Sequence, residues 1–220
     1  MTEGIRLLRQ ERYEEALQAF RNVDADPGEY PELSYYIGLC YTHLEKYDEA
    51  LLYLEQVVSS ELSLPHLYQS RMLLGYIYAV TERYRLAEYE FNRLLEEGFE
   101  SPKEYAALGY VLYAQNRVTE AIKYLERAVE IDSENANALN SLGYVLAEQG
   151  IRPRDALEHC RKAASMRPDN PLYLDSLGWA LYANGSVEQA QKVLNRAQEL
   201  APDNEGIAEH LRAVMQGAKA

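Results

Sequence analysis

The chain has 220 residues and a formal net charge of −13, from 35 acidic against 22 basic side chains. That balance disfavours a nucleic-acid partner, which needs a basic stripe, and docking on anionic membranes. The acidity reads most simply as a solubility device on outward-facing helices, and no apolar run approaches the ~18 residues of a membrane span.

In chain order, Met1-Thr2-Glu3-Gly4 is polar and a helix starts at once, without a signal-sequence pattern. This helix, near residues 1–10, pairs with a second over about 12–23, where Tyr13, Ala16, Leu17 and Phe20 face inward. Asp24 to Tyr30 is a turn, and Pro31 opens the next helix at a position that favours proline. Its partner carries Tyr47, Ala50, Leu51, Leu54 and Val57, and Glu61 to Pro65 forms a loop holding a three-residue excess. The following hairpin has Tyr78, Tyr84, Ala87 and Phe91 at the same places but puts Arg71 where later hairpins have Leu139 and Leu174. Ser101-Pro102-Lys103-Glu104 reads as a capping box with proline at the first helical position. One extra residue near Gly150-Ile151-Arg152-Pro153 lengthens a turn, Ser186 to Gln189 reads as a second capping box, and Asp203 is placed to cap a last helix to about Gln216. That helix has an apolar stripe of Ile207, Leu211 and Val214.

The pattern is periodic. Glycines at Gly4, Gly38, Gly75, Gly109, Gly143 and Gly178 are 34, 37, 34, 34 and 35 residues apart. Alanines follow in phase at Ala16, Ala50, Ala87, Ala121, Ala156 and Ala190. Self-similarity at this period with two helices per unit predicts a solenoid. A glycine inside a helix costs ~1 kcal/mol relative to alanine. A repeated one implies that packing returns more, through helices approaching to the short end of ~8–10 Å.

Leu174, Leu177, Gly178, Leu181, Ala190, Leu194, Ala197 and Pro202 in the last unit, and Tyr105, Leu108, Gly109, Leu112, Ala121, Leu125 and Ala128 two units earlier, resemble the tetratricopeptide repeat family. The resemblance covers nearly the whole chain. It implies an all-α fold, an α-solenoid wound as a right-handed superhelix of about six helix-turn-helix repeats of 34–37 residues plus a C-terminal capping helix. About thirteen helices, no strands and hairpin turns of two to four residues are expected. The expected organisation is one array over 1–217, with an incomplete repeat at 1–30, repeats at 31–67, 68–101, 102–135, 136–170 and 171–204, and a capping helix at 205–217. Gly4 stands at the eighth position of a repeat, so most of a first helix is missing, as in a chain trimmed from a longer one. The chain as it stands is expected in the cytoplasm. A trimmed one would fit the periplasm or envelope, a location shared by some of the bacterial repeat proteins that 139–179 resembles.

No catalytic constellation is visible. His43, His66, His159 and His210 fall in four units without a histidine or cysteine at helical ligand spacing, and there is no phosphate loop or nucleophile elbow. No enzyme activity, cofactor or metal is expected. Cys40 and Cys160 lie more than three repeats apart, too far for a bridge, and pack as small hydrophobes.

In the family, the residue after each marker glycine faces a concave groove; here these are Leu39, Tyr76, Tyr110, Tyr144 and Trp179. The other groove positions (two, five, six and twelve) add Tyr35, Tyr36, Met72, Tyr113, Asn137, Asn140, Asp175, Ser176 and Tyr182. Nineteen tyrosines against three phenylalanines favour places where a ring packs and its hydroxyl meets water or a polar ligand. Tyr13, Tyr47 and Tyr84 recur at one place in second helices and are expected to pack inside the solenoid. The carboxylate clamp of repeat domains that hold acidic chaperone tails is not supported, because only Lys103 fits one clamp position. The resemblance therefore implies a scaffold that takes an extended peptide or helix of a partner protein in an aromatic groove, with self-association left open. The alternative is an envelope receptor for a small apolar or aromatic ligand.

Overall fold

The computed structural model describes residues 1–60 and 64–217. Among them are thirteen α-helices and no strand, the all-α helical-repeat solenoid fold that the period predicts. The chain forms two compact units, Met1–Phe99 and Glu100–Ala220. Unit 1 holds α1 (Thr2–Arg9), α2 (Tyr13–Arg21), α3 (Tyr30–His43), α4 (Tyr47–Val58), α5 (Leu64–Val80) and α6 (Tyr84–Glu96). Unit 2 holds α7 (Pro102–Ala114), α8 (Val118–Ile131), α9 (Ala136–Glu148), α10 (Pro153–Met166), α11 (Pro171–Ala183), α12 (Val187–Leu200) and α13 (Glu205–Gly217). Within each unit consecutive helices pair as hairpins that pack on the next. In unit 2 the inner helices α7, α9 and α11 also touch in sequence, and α13 packs on α11 and α12. The loop expected at 61–65 falls at 61–63 outside the described residues, while Leu64 and Pro65 already belong to α5.

The marker glycines face one repeated partner. A Cβ on Gly4 would lie 2.4 Å from the Phe20 ring, one on Gly109 2.6 Å from Leu125, and one on Gly178 2.5 Å from Leu194. These large side chains stand four residues after the phased alanine, so alanine and large residue share one helix face. The six phased alanines are fully buried. At Gly143 the partner is the small Cys160, whose Sγ would lie 2.5 Å from an added Cβ, and the backbone closes in as well, with Ala156 O and Cys160 N at 3.0 Å. Both cysteines are buried and free, and burial pushes the Cys160 thiol up to about 12.

The turns share one geometry. Glu11, Glu45, Glu82, Asn116, Gly150 and Gly185 take positive φ at the ends of the first helices. Asn116 N–H donates to Tyr113 C=O (2.8 Å) and Arg117 N–H to Leu112 C=O (2.9 Å). This crossed pair of bonds satisfies the last carbonyls of a helix. At Ser101 the predicted capping box forms: its hydroxyl accepts from Lys103 N–H and its own N–H donates to Glu104. The box expected at Ser186 does not form, since that side chain makes no capping bond. The cap of α13 is Asn204 rather than Asp203, with Ile207 N–H donating to Asn204 Oδ1 at 3.1 Å. Either side chain has the chemistry of a cap, and the helix start one residue later selects the asparagine.

Arg71, the departure from the apolar pattern, is buried in α5 and donates from Nη1 to Glu90 of α6 at 2.9 Å. Its Nε lies 3.2 Å from Glu97 but is not aligned to donate a hydrogen bond. Burial raises the Glu90 carboxyl above its ordinary value, with the Arg71 bond opposing.

Candidate functional site

In unit 1 the predicted groove residues mostly pack on one another. Tyr35 is buried and meets Tyr36 edge-on at 5.2 Å and His66 at 4.9 Å, and Tyr36 stacks on Phe20 at 5.4 Å. Leu39 and Met72 are half-buried, and Tyr76 stands 47% exposed with its hydroxyl bonded to Tyr47. Tyr13, from the set expected to pack, stacks on His43 at 4.3 Å.

Unit 2 builds a pocket from the same positions. Helical spacing puts Tyr110 and Tyr113 on one face of α7, and Asn140 and Tyr144 on one face of α9. Asp175 and Ser176 of α11 supply the next wall, and the start of α13 closes the end with Asn204, Gly206, Ile207 and His210. This open pocket has a volume of about 550 Å³. Tyr113 meets Tyr144 edge-on at 6.2 Å, while Tyr110 keeps 53% of its surface exposed at the rim. Burial, then Glu148, Tyr113 and Asp175, raise the Tyr144 phenol above its ordinary value. Burial and Glu148 raise Tyr113 likewise, with a bond to Gln149 opposing. Both therefore stay neutral at physiological pH. The Asn140 Oδ1 atom is buried without a hydrogen-bond partner.

His210 was not among the sequence candidates. It stands 34 residues after Ser176, at the next groove position, so carrying the groove register one step into the capping helix would have found it. Its Nδ1–H donates to the buried Asp175 carboxylate, at 2.9 Å from each oxygen, and its ring stacks on Trp179 at 4.4 Å. Burial disfavours the imidazolium, but the Asp175 bond and the carboxylates of Asp175, Glu148 and Glu209 outweigh it, so the pKa is raised above 6.5. The stack turns Trp179 from an open groove residue into the seat of α13, and its buried Nε1–H has no acceptor. Tyr182 packs beside Trp179 at 5.4 Å and against Gly217, where an added Cβ would clash with its hydroxyl. Asn137 is exposed and lines a separate depression of mixed charge with Lys103, Glu134 and Arg167. The structure thus gathers Tyr110, Tyr113, Asn140, Tyr144, Asp175 and Ser176 into one pocket. It leaves Asn137 outside and puts Trp179 and Tyr182 behind α13.

Comparison with known proteins follows the same repeats. Family profiles described as "Tetratricopeptide repeat" match residues 1–63, 44–102 and 152–214, and one described as "TPR repeat" matches 109–150. The "TPR repeat-containing protein PA4667" of Pseudomonas aeruginosa is 38% identical over 97 residues, 44% of this chain. That match spans only 16% of the relative's length. Among solved structures, YrrB, titled a TPR protein with an unusual peptide-binding site, has a TM-score of 0.59 at 21% identity, over 90% of this chain and 96% of its own. MamA from Desulfovibrio magneticus RS-1 has a TM-score of 0.67 at 20% identity, over 76% of this chain and 92% of its own. A chain of the APC/C hetero-tetramer Cut9–Hcn1 reaches 0.81 at 15% identity, over 97% of this chain and 41% of its own. At these identities the structures speak for the fold. Fold and repeats together support a protein-interaction scaffold in general, of a family that is typically non-enzymatic. This chain belongs to the tetratricopeptide repeat family.

Proposed function

We propose that the chain is a non-enzymatic interaction module whose unit 2 pocket takes an extended segment of a partner protein. The observation that carries this reading is the wall of Tyr110, Tyr113 and Tyr144 at an open rim, beside the buried Asn140 Oδ1, which lacks a hydrogen-bond partner. Rigid rings give contact area at low entropy cost, and an unpaired buried acceptor costs about 1–3 kcal/mol. The peptide-binding site named for YrrB makes a peptide ligand a natural expectation for a similar fold. One observation favours the alternative of a compact apolar ligand: α13 closes one end, and about 550 Å³ lies in the range of small-molecule pockets.

The test is selection from a random peptide library displayed on phage, against the full chain and against Tyr110→Ala. We expect enriched peptides that bind the wild type and lose about tenfold or more with the variant. Failure to enrich any peptide, or enrichment indifferent to Tyr110, would remove the peptide reading. A compact ligand would instead raise the melting temperature of the full chain in a small-molecule screen while peptides gave nothing.

A further inference from the structure

The polar side of the pocket is mostly electron-rich: tyrosine rings, Asn140, Asp175 and Ser176 line it beside apolar side chains, and the basic group in the lining, His210, is bonded to Asp175. Tyr110, Tyr113 and Tyr144 turn rings toward it, and no lysine or arginine is among its lining residues. Asn140, Tyr144 and Glu148 stand at i, i+4 and i+8 on α9, so one helix face carries an amide oxygen, a ring and a carboxylate in a row. Glu148 is exposed and no ion pair holds it among the described residues. It acts electrostatically on Tyr113, Tyr144 and His210, three of the groups around the pocket. Asp175 adds a second carboxylate at the α11 wall, shared with His210. Asn140 Oδ1, buried without a donor, leaves its partial negative charge uncompensated on the same side.

We propose that this pocket is a receptor for a basic side chain, arginine ahead of lysine, on a segment of the partner protein. The inference rests on the peptide reading above and names the chemistry that reading requires. A cation over tyrosine faces gains from the ring quadrupole, more so when desolvated. A guanidinium is planar, stacks on rings and is less strongly hydrated than an ammonium, so it enters such a site more readily. The net charge of −13 draws a basic partner in and raises its encounter rate. A carboxylate-ended peptide, by contrast, would meet Glu148 and Asp175, and the basic group beside them, His210, is already bonded to Asp175.

The test uses the full chain and fluorescein-labelled peptide pools, random except at one central position fixed as Arg, Lys, Leu, Phe or Glu, read by fluorescence polarisation. We expect the Arg pool to bind about tenfold or more tightly than the Leu pool, the Lys pool between them, and the Glu pool weakest. Glu148→Gln should weaken the Arg pool severalfold and leave the Leu pool unchanged. Equal binding of all pools, or a preference for Leu or Phe, overturns the basic-ligand inference and leaves the peptide reading standing. Arg-pool binding that survives both Glu148→Gln and Tyr110→Ala would place the attraction on the acidic surface at large and overturn it too. Binding of no pool removes both readings.

Discussion

At the scale of single residues, the phased glycines do two separate jobs that the sequence shows as one pattern. Most make room for a large side chain from the facing helix. Gly143 instead makes room for backbone, with Ala156 O and Cys160 N at 3.0 Å from an added Cβ. A side chain there must push the helices apart, because backbone cannot rotate away as a leucine can. Gly143→Leu should therefore cost about 3 kcal/mol or more, whereas Gly28→Ala, with nothing within 4 Å, should be neutral. Melting curves of the two variants check this, and equal midpoints would remove the close-packing argument. The turns offer the opposite opportunity. Glu82 holds φ at 60°, a conformation that costs a side-chain-bearing residue roughly 1–2 kcal/mol. Glu82→Gly should raise the melting temperature by a few degrees. A lower midpoint would show that the Glu82 side chain contributes more than its backbone strain costs.

At the scale of elements, α5–α6 and α13 are the places where charge sits inside the packing. Arg71, between Glu90 and Glu97, stands where two later repeats have Leu139 and Leu174. Removing one member strands the others, so Arg71→Met should destabilise unit 1 by about 3–5 kcal/mol. Arg71→Leu combined with Glu90→Leu should recover much of the loss, as measured by denaturant titration. A single variant as stable as wild type would mean the charges are solvated. The His210–Asp175 contact makes the docking of α13 depend on pH. The folded-state pKa of His210 is raised, so its stabilisation is fully present below the unfolded value near 6.5 and fades as pH rises through the folded value. Hydrogen-exchange protection of α13 should fall across that interval and stay flat in His210→Gln. The helices, their pairing and the phased core were legible because each follows from period and residue size. The position of α13 was legible only as a cap over an apolar end. Its second role, bonding His210 to Asp175, depends on a contact across 35 residues, which the repeat register announces and no local pattern does. The unfulfilled caps at Ser186 and Asp203 fail for the reverse reason, since short-range signals do not record where a helix start finally settles.

At the scale of the whole molecule, an acidic repeat protein with thirteen described helices concentrates its candidate chemistry in one unit. The rings of unit 1 largely satisfy one another, while those of unit 2 surround open space. Exposure alone does not separate the units, since Tyr76 and Tyr110, which follow successive marker glycines, are 47% and 53% exposed; the difference is that Tyr110 borders a pocket. Trp179, the most conspicuous aromatic in the sequence, is a poor probe of binding because its removal would undock α13. Tyr110 is the clean one, since its ring stands at the rim. The most direct measurement is calorimetric titration of a selected peptide into wild type, Tyr110→Ala and Glu126→Ala, beside a melting curve of each. Tyr110→Ala should keep the wild-type midpoint and lose about tenfold or more in affinity, while Glu126→Ala, on α8 and paired with Arg152, binds as wild type. Equal affinity of the three folded proteins would contradict the account.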